Sequence, residues 1–504
     1  MRAQLTIRGG LERPALGACA AFLLAGCMVG PNFHPPPAPT VQTYTPSSLP
    51  AATASVPGPG GGGQRFVYGA FVDKAWWTLF GSPQLDALEA EALKANPTLS
   101  SAQAALRQAR ETWLAQRATL FPTVALQANA TRAKNSFTLA PPLNSNSEVY
   151  TLYTAQFALS YVVDVFGGVR RQIEATAAQA ENQRFQTDAA YLTLTANVAS
   201  AALQLAGLND QLAETGAIIA ADRQSLAVTA RQRRFGQAAG ADVAAARASL
   251  EQAEQLAPPL QKQIDQQRDL LADLLARPPS LAPTDGLRLT QFQLPADLPV
   301  TLPADLVRRR PDVLAAEAIV HAASAQVGVA VAARLPSFTI DGALGGASTA
   351  IPTLFTNGND LWSIEGGIAQ TVFDAGALHH KEKAARAALD QAMEQYRLTV
   401  LAGLQNTADV LQAIVDDARA LEHADAAYAA AADSLRISRE EFANGQVGAL
   451  SLLTAQTSLS QARVTLVQAR AARYQDTVAL YQALGGDWPS NQAQAEAQTA
   501  VPKP

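Results

Sequence analysis

Two periodicities divide the chain. Over short segments apolar and polar residues alternate. Tyr153, Ala155, Phe157, Leu159, Tyr161 and Val163 interleave with Thr154, Gln156, Ala158, Ser160 and Val162. Val124, Leu126, Ala128 and Ala130 alternate with Thr123, Gln127 and Asn129; Phe338, Ile340 and Leu344 with Thr339 and Asp341; Trp362, Ile364 and Ile368 with Ser363 and Glu365. A repeat of two is that of a strand, whose successive side chains face opposite ways. One face is apolar with aromatic ends and the other small and polar, over roughly ten residues, which is the pattern of a lipid-facing barrel strand. A soluble two-faced sheet has the same pattern. The segments between them, about 133–148 and 348–360, are polar and rich in Asn, Ser, Thr and Pro.

Elsewhere the apolar residues recur at three- and four-residue spacing. Leu192, Val198, Leu203 and Leu205, and later Leu398, Leu401, Leu404 and Leu411, draw packing stripes on helices. Gly167 to Gly236 is 69 residues, and Gly376 to Gly445 is also 69, with no proline inside either run. At about 1.5 Å per residue each predicts a helix of roughly 100 Å, too long for a globule. Both runs are dominated by Ala, Leu, Gln, Arg and Glu, strong helix formers.

The same order of elements occurs twice. Asn96-Pro97 and Arg310-Pro311 each open a helical stretch, and Pro122 and Pro336 each open a strand, all at an offset of 214. Gly236, Asp242, Ala246 and Leu250 match Gly445, Ser451, Ala455 and Leu459 at an offset of 209. Each half therefore reads helix, strand, loop, strand, long helix, tight break, helix. In the first half the return limb is expected as helix over about 241–277, a break at Pro278-Pro279, an irregular insert over 280–310 and helix again over 311–335. In the second it is expected as helix 449–484, with 97–121 stacked beyond it. Organisation is predicted as 1–26 signal peptide, 27–66 Pro/Gly-rich tether, 67–285 first repeat, 286–486 second repeat and 487–504 disordered tail.

Composition narrows the function. Charged residues make up 16% of the 504, and the net charge is −5. No basic face is available for nucleic acid, so that partner is excluded as the main one. The two cysteines, Cys19 and Cys27, rule out a disulfide framework or a cysteine-rich zinc site. Beyond residue 30 no uninterrupted apolar run of 18 residues occurs, so no transmembrane helix is expected. At the N-terminus Arg2, Arg8 and Arg13 precede the apolar stretch Ala15–Leu24, the size of a secretory h-region. Leu24-Ala25-Gly26-Cys27 resembles the bacterial lipobox, in which the thiol receives diacylglycerol and the new N-terminus an acyl chain. Cys27 is thus the predicted lipidation site, and two or more chains make such anchoring stable. Met28, rather than Asp, follows it, which by resemblance to lipoprotein sorting favours the outer membrane. Gly58, Gly60 and Gly63 match GxGxxG, but no strand precedes them and no helix follows, so a dinucleotide site is not expected.

Four strands cannot close a barrel, and in lipid every sheet edge must be paired. Two copies would supply eight strands with a filled interior; three would supply twelve and leave a lumen. A conduit requires at least three copies.

Several segments together resemble the outer membrane factor lipoproteins, the TolC-like exit ducts of tripartite pumps, of the NodT type. They are Val29-Gly30-Pro31-Asn32-Phe33, Trp76-Trp77 with Phe80, Asn96-Pro97, Phe121-Pro122, Asp164-Val165-Phe166-Gly167-Gly168-Val169-Arg170, Asn406-Thr407-Ala408-Asp409-Val410-Leu411 and Phe442-Ala443-Asn444-Gly445. The resemblance implies a mixed α and β membrane protein. Its form would be a homotrimer with a twelve-stranded β-barrel, four strands per chain, and a long periplasmic α-helical coiled-coil tunnel. It implies a periplasmic adaptor (membrane fusion protein) and an inner-membrane transporter, of the resistance–nodulation–division class, as partners, with outer membrane lipid around the barrel. The expected function is a passive duct for drugs or other small molecules; the exit duct of a type I protein secretion system is the alternative. No catalysis, resident cofactor or metal is expected beyond the acyl groups on Cys27.

The same resemblance places a periplasmic gate at the hairpin tips, where Gly236, Gly240, Gly445 and Gly448 would meet the adaptor. Asp242 matches an acidic gate residue and Leu450 a constricting apolar ring; a helix cap and ordinary coiled-coil packing are their alternative roles. Phe442 stands where a tyrosine can occur and Thr454 where many relatives have aspartate. An arginine can occur where this chain has Val447 or Ala443. The usual polar lock is therefore depleted. Asp409 is expected in a solvated tunnel-lining or helix-face role and Arg308-Arg309-Arg310 on a solvated or inter-subunit face. His379-His380 lacks the carboxylate companions of a metal site.

Overall fold

The computed structural model describes residues 28–134, 149–283 and 286–486. The signal peptide, Cys27, most of the first hairpin loop and the predicted disordered tail lie outside the described residues. The chain divides into two compact units built from interleaved segments: one from residues up to 36, 107–182 and 316–396, the other from 37–106, 183–315 and 397 onward.

The elements repeat as the offsets predict. The strands are β1 (Arg65–Tyr68), β2 (Thr123–Lys134), β3 (Val149–Val163), β4 (Asp297–Val300), β5 (Ser337–Ser348) and β6 (Asp360–Ala369). The helices are α1 (Pro83–Ala95), α2 (Pro97–Ala118), α3 (Gly168–Arg234), α4 (Gly240–Leu274), α5 (Pro303–Val307), α6 (Pro311–Ala332), α7 (Ala377–Ala443) and α8 (Ala449–Ala483). Both α3 and α7 are 67 residues long, and both α4 and α8 are 35.

The first unit holds an antiparallel sheet in the order β2-β3-β5-β6. Two carboxylates start its long helices. Asp164 accepts the N–H groups of Val169 (3.0 Å) and Arg170 (2.9 Å) at the head of α3. Asp374 accepts those of Gly376 (2.9 Å) and Leu378 (2.7 Å) at the head of α7, and these bonds hold its carboxyl below the usual carboxylate range. An anion there also offsets the helix dipole.

The second unit holds the main core, in which Trp76, Phe80, Leu85, Leu203, Ile264, Leu271, Tyr474 and Tyr481 are buried. Trp76 stacks on Tyr481 at 5.2 Å. A parallel pair, β1 with β4, lies here too. The insert expected to be irregular thus supplies a strand and the short helix α5.

Four other expectations change. Asn96, which opens α2, donates from Nδ2 to the Leu274 carbonyl at the end of α4 (2.9 Å). Arg310, which opens α6, donates to the Ala483 carbonyl at the end of α8 (2.6 Å). The return limbs are therefore exchanged: α2 abuts α4 and α6 abuts α8, the reverse of the predicted stacking. Spacing fixes the order of elements but not which helix end meets which. Arg310, read as a solvated or inter-subunit residue, is consequently buried, and Arg309 lies 3.6 Å over the Phe71 ring. Residues 37–64 are not a loose tether. Gln64 is fully buried and donates to the Pro295 carbonyl (3.1 Å) and Thr477 (3.0 Å), and Arg473 donates to its Oε1 (2.8 Å). Finally, α6 and α7 each contain a stretch long and apolar enough by composition to cross a membrane. Alanine is the reason. It raises hydropathy while permitting close packing, and α6 buries Val313, Ala318, Val320, Ala325 and Val327.

Candidate functional site

Three features carry the functional residues: the two faces of the sheet, the helix tips and the N-terminal strap. On the sheet, register sorts the side chains. Leu126, Phe157, Leu344 and Trp362 lie directly opposite one another in one row, and Val124, Leu159, Gly342 and Ile364 in a second row on the same face. All four residues of the first row are exposed. The other face carries Thr123, Ser160, Asp341 and Glu365 in one row and Gln127, Gln156, Gly345 and Leu361 in another. The alternation read from sequence is thus aligned across all four strands. The result is one apolar wall and one polar wall bearing two carboxylates side by side.

The two tips share one geometry. Gly236 and Gly445 both adopt φ of +72°. At the first tip Gly236 N–H donates to Arg233 O (3.0 Å) and Gln237 N–H to Gln232 O (2.9 Å); at the second Gly445 N–H donates to Phe442 O (3.0 Å) and Gln446 N–H to Glu441 O (2.8 Å). This is a Schellman stop, which needs the left-handed conformation glycine allows. Gly240 and Gly448 lie at the starts of α4 and α8.

Asp242, Leu450 and Phe442 line one cleft of about 220 Å3, with Thr229, Ala246 and Leu453. Asp242 accepts the Ala239 N–H (2.9 Å), the cap-like bond weighed for it from sequence. Leu450 is 72% exposed, and Phe442 is half-buried. Thr454 stands apart from that cleft. Its hydroxyl donates to Leu450 O (2.9 Å), and it lines a groove between α7 and α8 with Ala431, Leu453 and Thr457. Asp409 is exposed on α7. Among the described residues no group of three His, Cys, Asp or Glu is placed to hold a metal.

Sequence reasoning missed a buried polar tie behind the tips. Asp222 of α3 accepts hydrogen bonds from Gln456 of α8 and from Ser249 of α4 (3.3 Å). Burial raises its pKa, and the two bonds oppose the shift. A carboxylate on the buried stripe of a long helix was the available signal.

The strap beside the predicted anchor is fixed. Val29 N–H donates to Phe166 O (3.1 Å), and a Cβ on Gly30 (φ +88°) would come within 2.4 Å of Gly328 Cα. Arg171, 1% exposed, donates to Val29 O (3.0 Å), Asn32 Oδ1 (2.7 Å) and Glu174 (2.7 Å). Phe33 stacks on His321 at 4.3 Å. The run Val29–Phe33 is therefore a docking sequence for its own unit. Replacing Arg171 with methionine is expected to cost roughly 3 kcal/mol, because a buried ion pair and three bonds are lost. Limited proteolysis should then cut residues 28–36 at least tenfold faster; unchanged resistance would show that Arg171 does not hold the strap.

The comparisons agree with this geometry. Residues 88–277 and 302–486 match the family described as outer membrane efflux protein. The chain is 29% identical over 495 residues to the probable efflux pump outer membrane protein TtgC of Pseudomonas putida, covering 97% of this chain and 98% of that one. It is 25% identical over 476 residues to the probable outer membrane lipoprotein SilC of Salmonella typhimurium, covering 94% and 98%. The solved structure of the outer-membrane channel OprN superposes with a TM-score of 0.82 at 26% identity, covering 92% of this chain and 100% of that one. A two-faced four-stranded sheet and paired long helices with matching tips, over nearly the whole length of such relatives, place the chain in the outer membrane efflux protein family.

Proposed function

We propose that three copies close one twelve-stranded barrel and act as the passive exit duct of a tripartite efflux pump. The observation that carries the reading is the sheet. One face is apolar, the other polar, and among the described residues β2 and β6 each pair on one side only. In lipid those two edges need partners, and a second and third copy supply them. Acyl chains on Cys27 add an anchor. The helix tips engage a periplasmic adaptor, which connects the duct to an inner-membrane transporter of the resistance–nodulation–division class. Leu450 and Asp242, three copies each, form the resting constriction with Phe442 behind them, and adaptor binding opens it. The names of the relatives, an efflux pump protein among them, favour small molecules over secreted proteins as cargo. The transporter chooses the substrate.

Purified protein should have three times the chain mass by native mass spectrometry and conduct ions in planar bilayers. A non-conducting monomer would overturn the reading. In the cell, deletion should sensitise to a panel of drugs. The polar wall adds a second expectation. Asp341 and Glu365 face each other across β5 and β6, so three copies put six carboxylates around the lumen. Asp341→Asn with Glu365→Gln is expected to lower the cation-over-anion permeability ratio at least twofold, read from reversal potentials in a salt gradient.

A further inference from the structure

The sequence duplication determines how the copies join, residue by residue. This inference rests on the trimeric reading and deepens it. Strand β2 and its counterpart β5 are related by the offset of 214 that links Pro122 to Pro336, and the segment of β3 and α3 is related to that of β6 and α7 by the offset of 209 that links Gly236 to Gly445. These two offsets reproduce the sheet within one chain. The pair Thr123↔Ser160 becomes Ser337↔Ala369, and Arg132↔Thr151 becomes Gly346↔Asp360; both are observed pairs of β5 with β6. The duplication therefore preserves strand register, not only element order.

Applied to the remaining pair, the offsets give a contact that one chain cannot make. Advancing β3 by 209 and moving β5 back by 214 turns Val163↔Phe338 into Val372↔Val124. Tyr153↔Ser348 becomes Trp362↔Lys134 in the same way. We propose that β6 of one copy pairs antiparallel with β2 of the next over Trp362–Val372 and Val124–Lys134, with Val372 directly opposite Val124.

Two independent observations fit. The first is exposure. Val372, 94% exposed, and Phe373, 88% exposed, are the most exposed large apolar side chains among the described residues. Strand β6 stops at Ala369, although the counterparts of Gln370–Val372, which are Tyr161–Val163, lie within β3. A paired neighbour would extend β6 by those three residues and cover Val372. The second is facing. A one-residue slip in an antiparallel pair sets an apolar face against a polar one. In the proposed register Val372 and Ile368 meet Val124 and Ala128, all on the apolar wall, while Glu365 meets Thr131 on the polar wall. The face pattern alone permits slips of two residues; the duplication selects one register.

Disulfide trapping tests this, because a bridge needs Cα atoms within about 4.4–6.8 Å, whereas diagonal neighbours lie roughly 7–8 Å apart. Beyond the signal segment the chain has no cysteine but Cys27. Under mild oxidation V372C/V124C and I368C/A128C should give reductant-sensitive covalent trimers, at least tenfold more than the slipped pairs V372C/L126C and I368C/L126C. Native mass spectrometry of the same samples separates the outcomes. A trimer in which the slipped pairs cross-link better overturns the register and leaves the shared barrel standing. A trimer in which no pair cross-links overturns the pairing of these edges. A monomer that cross-links nowhere overturns the trimeric reading as well.

Discussion

Replacing Glu89 with glutamine is expected to stabilise the protein above neutral pH and to flatten the pH dependence of its unfolding. Glu89 lies on α1, fully buried in the second unit, and among the described residues neither of its carboxyl oxygens has a well-formed hydrogen-bond partner. Burial pushes its pKa up from 4.5 to about 9; the Asp86 carboxylate adds to the shift, and only the Ala199 backbone opposes it. The sign follows from which form each state prefers. The unfolded chain ionises above pH 4.5, while the folded chain keeps the proton up to about pH 9. Stability is therefore greatest below the lower value, declines as pH rises between the two, and levels off above the upper one. At about 1.4 kcal/mol per pH unit, the loss between pH 5 and pH 8 is on the order of 4 kcal/mol. Glutamine has nearly the same shape and no proton to lose. At pH 8 the variant should unfold several degrees higher in a scan followed by tryptophan fluorescence, which Trp76 and Trp77 of the same core report. At pH 5 the two proteins should nearly coincide. An equal pH slope in both would show that another group carries the dependence.

Glu89 also shows what the sequence held and what it concealed. It sits on a buried stripe with Leu85 and Ala92, at helical spacing, so its burial was legible from periodicity. The lack of a counter-charge beside it among the described residues was not, because a partner could have come from any distant segment. The same division runs through the fold. Period-two alternation marked the apolar and polar walls, since strand geometry is local and each position faces one way. Gly236 and Gly445 marked both tips, since a Schellman stop needs a left-handed residue at one position. Pairing between distant elements was harder. The exchanged ends at Asn96 and Arg310, the β1–β4 pair and the docking of Gln64 beside Arg473 all depend on contacts between residues far apart in sequence, from 173 to 409 positions, which local chemistry does not encode. The duplication is the exception. Two offsets transmit non-local register, and that is why a sequence repeat specifies strand partners where hydropathy does not. At the tips, the cleft that joins Asp242, Leu450 and Phe442 follows from matched hairpins, whereas Thr454, whose hydroxyl turns back to Leu450 O, lines the groove between α7 and α8.

Leu450→Ala is expected to raise the single-channel conductance of the reconstituted trimer several-fold. Leu450 begins α8 directly after the second tip, is 72% exposed within its own chain and carries little of that chain's core. Truncating it should therefore leave the unfolding midpoint within a few degrees of the parent, since a largely exposed leucine loses little burial on substitution. A large effect on conductance with a small effect on stability is the signature of an apolar ring at a constriction. A helix-packing residue would give the reverse. Asp242 needs a different pair of variants, because its carboxylate already accepts the Ala239 N–H at the head of α4. Asp242→Asn keeps an acceptor for that bond and removes the charge. Asp242→Ala removes both and should cost about 1 kcal/mol as a lost cap. If Asp242 shapes the constriction electrostatically, both variants should shift ion selectivity and conductance alike. If it only starts the helix, the asparagine variant should match the parent and the alanine variant should differ in stability alone. Adaptor-loaded channels give the final comparison. An opened parent should conduct like the Leu450→Ala variant without adaptor, and an adaptor that left the parent conductance unchanged would place the constriction elsewhere in the duct.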